Sequence, residues 1–196
     1  LRVAEPLDGY LFPATYTIRR RDTARDVVQQ MLQAFADNVP ASVQEQATEL
    51  GLTLHEVVTL ASIIEREAVI AEERPVMAQV FLKRLRLGIS LEADPTVQYA
   101  LAEEPENVAR FGYWKAVLTL EDLETDSPYN TYVEAGLPPG PIASPRLDSI
   151  NAVVNPADTD YLYFVAKSDR SHAFAETFAE HQENIELFGV GDGTGP

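Results

Sequence analysis

The stretch from Thr53 to Val69, TLHEVVTLASIIEREAV, limits the possible folds more than any other part of the sequence. Thr53 followed three residues on by Glu56 is a capping box. Hydroxyl and carboxylate each satisfy an orphan amide of a first helical turn, so a helix is predicted to begin here. At roughly 100° per residue, Leu54, Val57, Val58, Ala61 and Ala68 share one stripe, with Glu65 near its centre. Glu56 and Glu67 point roughly the opposite way on the same wheel. Leu60, Ile63 and Ile64 make much of the remaining surface apolar, so the helix belongs in a core, packed on most sides.

Glu65 is then the odd residue. A charged, unpaired carboxylate on a buried stripe is costly, and holding the proton is the cheaper state. That raises the pKa toward what a general acid working near neutral pH requires. Two other outcomes stay open on the helix alone: pairing with an arginine of the next helix, where Arg74, Arg84 and Arg86 stand, or rotation of Glu65 to the rim.

The length of 196 residues, 45% of them hydrophobic, is enough for a globular domain with a proper core. One domain is expected over residues 1–190, with 191–196 as a flexible tail, and there is no internal repeat or second-domain linker. The net charge of −16 argues against a nucleic-acid partner, which needs a basic footprint, and against simple adhesion to anionic lipid or wall polymer. Any such substrate must be held by a local site. With no cysteine, disulfides, thiol catalysis and Cys-ligated metals are excluded. His55, His172 and His181 form no HExxH-like pair, so no metal or other cofactor is expected. No apolar run nears the roughly 20 residues that span a bilayer, no signal peptide opens the chain, and the start at Leu1 reads as an excised domain.

Residues 1–20, broken by Gly9 and Pro13, read as an extended segment packed on the core through Tyr10, Leu11, Phe12 and Tyr16. Val27, Val28, Met31, Leu32 and Phe35 predict a helix from Asp22 to about Asn38. Ser42 is expected to cap a short helix to Leu50 that stops at Gly51. Beyond the organising helix, Val76, Val80, Phe81 and Leu85 mark another, closed by Gly88. Asp94-Pro95 opens a short helix in which Asp94 reads first as an N-cap. Residues 103–127 look irregular and hold Trp114, which suits either a core or a stacking platform.

SPYNTYVEAGLPPGPIASP at 127–145 carries five prolines and two glycines, a long stiff connection of the kind that is often functional. At its head, Tyr129, Asn130, Thr131 and Tyr132 offer aromatic faces with an amide and a hydroxyl between them, which suits a sugar; a structural brace with core tyrosines is the other reading. Leu147 to Val154 predicts a helix stopped by Pro156. YLYFVA at 161–166 reads as a strand, His172-Ala173-Phe174 as its hairpin return, and Ala175 to Phe188 as a last helix bringing Thr177, Glu180 and His181 within a turn of one another. The fold class is thus α+β, predominantly helical, one domain with a buried central helix and a small antiparallel element.

Five co-linear segments, DGYLFPATY at 8–16, LASIIEREA at 60–68, VFLKRLRLGISLEADPTVQYAL at 80–101, SPYNTYVEAGLPPGPIASP at 127–145, and YLYFVA with His172, Phe174, Thr177, Glu180 and His181, resemble the YceG-like family of endolytic peptidoglycan (murein) transglycosylases. The resemblance implies cleavage inside glycan strands between N-acetylmuramic acid and N-acetylglucosamine, with the first glutamate of SIIEREA, Glu65, as acid and then base. It also implies substrate positioning, or support of the glutamate, by Tyr129, Asn130, Thr131 and Tyr132, and a binding segment holding Glu92, Asp94 and Thr96. His172 and Phe174 fall at matching positions on the hairpin. Departures include Asp8 for Glu, Lys83 for Asn, Glu92 for Gln, and Ser144 and Arg146 where Asn and Gly are usual; none is expected to touch the proposed acid. Relatives imply a membrane helix and a LysM-like module ahead of such a region, and work beside peptidoglycan synthases.

Three other functions are weighed against this one. A pyridoxal-phosphate lyase needs a Schiff-base lysine and a phosphate cup, and none of Lys83, Lys115 and Lys167 precedes a Gly-rich loop. A glycan-binding or scaffolding domain would use the aromatic cleft without cutting. A true hydrolase needs a second carboxyl, for which Asp94 or Glu92 would serve better than Glu67, on the far side of the helix.

Overall fold

The computed structural model describes residues 7–189, and its architecture is α+β with helices predominating. At its centre lies α3 (Leu54–Glu67), started by the Thr53–Glu56 capping box, with every residue from Val57 to Ile64 buried. Around it pack α2 (Ser42–Glu49), α4 (Arg74–Leu87), α5 (Asp94–Ala102) and α8 (Leu147–Val154). α1 (Ala24–Asn38) begins at a second capping box, Thr23 with Asp26, and buries Phe35. Leu60, Ile63, Met77, Phe81, Leu91 and Ile150 are among the fully buried side chains of the core.

Glycines turn the chain where a left-handed residue is required. Gly51 (φ 76°) ends α2, and Gly88 (φ 69°) caps α4. The antiparallel hairpin β1 (Tyr163–Ala166) and β2 (His172–Ala175) pairs Tyr163 with Ala175 and Ala166 with His172. It is followed by α9 (Phe178–Phe188), started by a Thr177–Glu180 capping box. Arg84 of α4 ties the hairpin to the core. Its Nε donates to Leu162 O at 2.9 Å, and its Nη1 donates to Ser90 O and Leu91 O at 3.0 and 2.8 Å.

Four expectations change. Ser42 is already the first helical residue, with Ala41 before it and no side-chain cap. Asp94 likewise sits inside α5, one residue after the N-cap Ala93, so its carboxylate is free of capping duty. Two short helices, α6 (Pro105–Phe111) and α7 (Leu120–Leu123), occupy the stretch read as irregular. β1 begins two residues later than YLYFVA: Leu162 N–H still donates to Ala175 O at 2.9 Å but its carbonyl turns to Arg84 Nε, and Tyr161 packs its ring on Phe174. The expected tail at 191–196 and the first six residues of the opening segment lie outside the described residues. Among the described residues no single helix is long and apolar enough to cross a membrane.

The opening segment is locked to α3 at Gly9, whose φ is 85° and where an added Cβ would meet Pro141 Cγ at 2.4 Å and Val58 Cγ1 at 2.8 Å. Gly51 has the same kind of φ with open space around it. Gly9→Ala is therefore expected to cost about 2–4 kcal/mol of stability, whereas Gly51→Ala costs about 1 kcal/mol from backbone strain alone. Urea unfolding of the two variants checks this; equal losses would mean that the close approach at Gly9 relaxes freely.

Candidate functional site

One side of α3 is a polar strip that fastens the Pro-rich loop. His55 Nε2 pairs with Pro139 O at 3.1 Å while its Nδ1 pairs with Tyr10 Oη at 2.8 Å. Two turns on, Ser62 Oγ accepts from Ile142 N at 3.0 Å. Glu65 ends the strip. Its Oε2 accepts from Arg146 N at 3.1 Å and Ser149 Oγ at 2.7 Å, and its Oε1 from Arg146 Nη1 at 2.8 Å.

Glu65 therefore does not stand unpaired on a buried stripe. Both oxygens face donors, the partner set of a carboxylate bound into structure. Pairing with an arginine was among the open readings, but the partner comes from the start of α8 and not from Arg74, Arg84 or Arg86. Arg146, expected to leave the proposed acid untouched, grips it with a side chain that is 65% exposed against 12% for Glu65.

Glu67, on the opposite side of the same turn, has the surroundings expected of Glu65. It is half-buried at the C-terminal end of α3. Burial, and after it the negative charge of Asp94, push its carboxyl from 4.5 up to about 8, against the weaker pull of Arg66. Among the described residues no hydrogen bond to its carboxyl opposes this shift. The helical wheel missed this because the last turn of α3 overhangs the core's edge, where facing away from the stripe means facing the α5 helix and the loop at 130–132. A carboxyl kept protonated near pH 8 beside an ionisable neighbour is the usual equipment of a general acid.

Asp94 stands beside it, exposed at the start of α5, and its Oδ1 accepts from Tyr132 Oη at 2.6 Å. Burial and the Asp94 charge raise the Tyr132 hydroxyl, so it remains a donor. The loop that aims Tyr132 is tied from within. Asn130 Nδ2 donates to Leu123 O at 2.9 Å and Thr125 O at 2.8 Å, while its Oδ1 accepts from Tyr132 N at 3.0 Å. Thr131 Oγ1 meets Thr96 Oγ1 at 2.8 Å and accepts from Ala93 N at 3.0 Å. Asn130, Thr131 and Thr96 are buried, so these expected substrate contacts serve instead as internal ties between the loop and α5.

The remaining expected site residues divide. Tyr129 packs on Tyr99 at a ring distance of 4.7 Å, and from Tyr99 an aromatic run continues through Tyr113 to Trp114. The Arg66 guanidinium, between the two glutamates in sequence, lies 4.1 Å from the ring centre of the half-buried Trp114. Glu92 is exposed and paired with Arg84 at 3.1 Å. His172 is buried, its Nδ1 paired with Glu73 Oε2 at 2.7 Å and its backbone N–H donating to Glu73 Oε1, so it anchors the hairpin to the segment before α4. Phe174 packs into the core beside Phe164. Lys83 and Lys115 are held in ion pairs with Asp160 and Asp122. Among the described residues no three metal-ligating side chains come together.

The family model described as the YceG-like family matches residues 1–187. An endolytic murein transglycosylase of Bacillus subtilis is 38% identical over 187 residues, 95% of this chain and 49% of that protein. The endolytic murein transglycosylase of Streptococcus pneumoniae is 34% identical over 180 residues, 91% of this chain and 32% of that protein. The chain thus spans about half the length of the first relative and about a third of the second. A crystal structure of a yceG-like protein of Listeria monocytogenes matches with a TM-score of 0.79 and 39% identity, over 92% of this chain and 56% of that one.

Glu67 binds its proton more tightly folded than unfolded. Between pH 4.5 and about 8 the folded state therefore carries the extra proton, and stability falls as pH rises through that window. Glu67→Gln is expected to flatten that fall, matching the parent near pH 4.5 and exceeding its stability at pH 8. Urea midpoints across the range check it, and parallel curves for the two proteins would remove the raised carboxyl from the account.

Proposed function

Because the chain belongs to the YceG-like family, we propose that it carries the catalytic centre of a peptidoglycan lytic transglycosylase that cuts inside glycan strands between N-acetylmuramic acid and N-acetylglucosamine. The observation that carries this reading is the Glu67 carboxyl, raised to about 8 beside Asp94 at the edge of the core. Protonated Glu67 donates to the glycosidic oxygen as the bond to the muramyl C1 breaks. The positive charge that develops on the sugar is met by the nearby Asp94 carboxylate, held by Tyr132. Glu67, now an anion next to Asp94, is a strong base and takes the proton of the muramyl C6 hydroxyl as that oxygen attacks C1. The 1,6-anhydro ring closes, no water is consumed, and Glu67 regains its proton.

This reading moves the acid from Glu65 to Glu67. The three donors on Glu65 favour a structural carboxylate that fastens the Pro-rich loop to α8. Glu65 as the acid is the competing assignment, and a hydrolase using Glu67 with Asp94 is the competing reaction, since two neighbouring carboxyls suit it as well. For the whole protein we propose action on the extracytoplasmic face of the plasma membrane, an anchor in the portion the relatives have beyond this match, and work beside peptidoglycan synthases.

Mass spectrometry of purified peptidoglycan digested with the parent, Glu67→Gln and Glu65→Gln decides among these. Anhydro-muramyl ends are expected from the parent, lost by about 100-fold or more in Glu67→Gln, the usual scale of a missing general acid. Glu65→Gln should keep most of the activity while losing about 1–2 kcal/mol of stability. The reverse pattern would return the role to Glu65, reducing ends would make the enzyme a hydrolase, and absence of any cleavage by a well-folded parent would favour a binding domain.

The acid must be protonated at the start of turnover, so kcat/KM is expected to fall as pH rises past about 8. A decline already complete near pH 5 would mean that an ordinary carboxyl does the work.

A further inference from the structure

Behind Tyr132 lies a cavity of about 330 Å³ walled by Arg84, Glu92, Tyr132, Tyr163, Phe164 and His181, between the segment after α4 and the hairpin with α9. We propose that this cavity is a subsite for a single uncharged N-acetylhexosamine ring of the glycan strand, next to the bond being cut, an inference that rests on the glycan-cleaving reading above.

Continuity with the reaction centre comes from Tyr132, whose hydroxyl binds Asp94 while the residue lines the cavity. The volume is at the low end of ligand sites, which begin near 300 Å³, and so suits one ring. The walls are stiff. Tyr163 stacks on His181 at a ring distance of 5.1 Å and 19°, with the Arg84 guanidinium 5.3 Å from the Tyr163 ring centre. Arg84 is further fixed by three backbone carbonyls, so it gives rigidity and one compensating charge.

Glu92 supplies the recognising group. It is a non-glycine residue at φ 52°, a conformation that costs free energy and must be held by its surroundings. The hold is its N–H donating to Thr131 O at 3.1 Å, the loop residue tied to α5. Its side chain stays 47% exposed, and the single ion pair with Arg84 leaves most of the carboxylate's acceptor positions open. A carboxylate reads hydroxyl and amide N–H donors. With Glu92 in the wall and Asp94 bound to the lining residue Tyr132, an anionic occupant is disfavoured. In a murein strand the ring that meets both conditions is N-acetylglucosamine, which lacks the lactyl carboxyl of its neighbour.

The test is titration of the Glu67→Gln chain with tetra-N-acetylchitotetraose, followed by amide chemical shifts in a 15N-labelled sample. Saturable shifts at Glu92 and Tyr163 are expected. Glu92→Gly, which suits the left-handed backbone and so spares the fold, should weaken the dissociation constant by about tenfold, the scale of one net hydrogen bond. Glu92→Gln should stay within about threefold, because it keeps an acceptor, and free N-acetylmuramic acid should fail to compete. No saturable binding, shifts confined to other surfaces, or an unchanged constant in Glu92→Gly would overturn the subsite. Anhydro-muramyl products from the chain with Glu67 intact would in those cases leave the transglycosylase reading standing, whereas binding at the cavity without any cleavage would sink the reaction and keep the subsite.

Discussion

The clip between α3 and the Pro-rich loop is the interaction on which the rest of the site depends. His55, Ser62 and Glu65 hold Pro139, Ile142 and Arg146 along nearly three turns of one buried helix. A loop with five prolines has few conformations to lose, so a small number of hydrogen bonds is enough to fix it. Fixing its far end to α3 also fixes its near end, where Tyr132 meets Asp94. The loop is thus a strut between the packed core and the open edge, and Gly9 completes the joint by letting the opening segment lie against both Pro141 and Val58.

Two glutamates of one helical turn acquire opposite characters through their partners. Glu65 is deep and fully matched with donors, and a matched charge is tolerated in a low-dielectric setting. Glu67 is desolvated, faces another carboxylate and, among the described residues, has no hydrogen-bonded cation, so the neutral form is favoured. At Glu67 burial is the larger cause and the Asp94 charge adds to it, so depth and the sign of the neighbour act together. Arg66 would oppose this, but its guanidinium is turned to the face of Trp114.

Much of the fold was legible because its signals are local. The capping box at Thr53, the left-handed glycines at 51 and 88, and the β-rich run ahead of the hairpin each act within a few residues, whereas the last helix starts at Phe178 rather than Ala175, which ends β2. The segment 103–127 was not, since α6 and α7 are two turns or shorter and bury no residue of their own. Site residues split in the same way. Asp94 and Tyr132 were among the candidates by residue type, but the roles of Glu65, Thr131 and His172 depend on partners 35 to 99 residues away in sequence, such as Thr96 for Thr131 and Glu73 for His172. Helical periodicity ranks residues around an axis and is silent about where along that axis the core ends, which is why it favoured Glu65 over Glu67.

The acidic surface fits a centre of this construction. A strongly negative chain gains nothing from long-range attraction to an anionic polymer, so affinity must come from short-range contacts at a preorganised edge. The Tyr113–Trp114 pair, and Tyr132 and Tyr163 in the wall of the cavity, offer such contacts without requiring charge. The same negative field that repels free carboxylates holds the proton on Glu67 and would favour the positive charge that grows on a sugar as its glycosidic bond breaks. Excess acidity, which counts against binding a polyanion, would thereby favour the proposed chemical step where a neutral stretch of a strand meets the edge of the core.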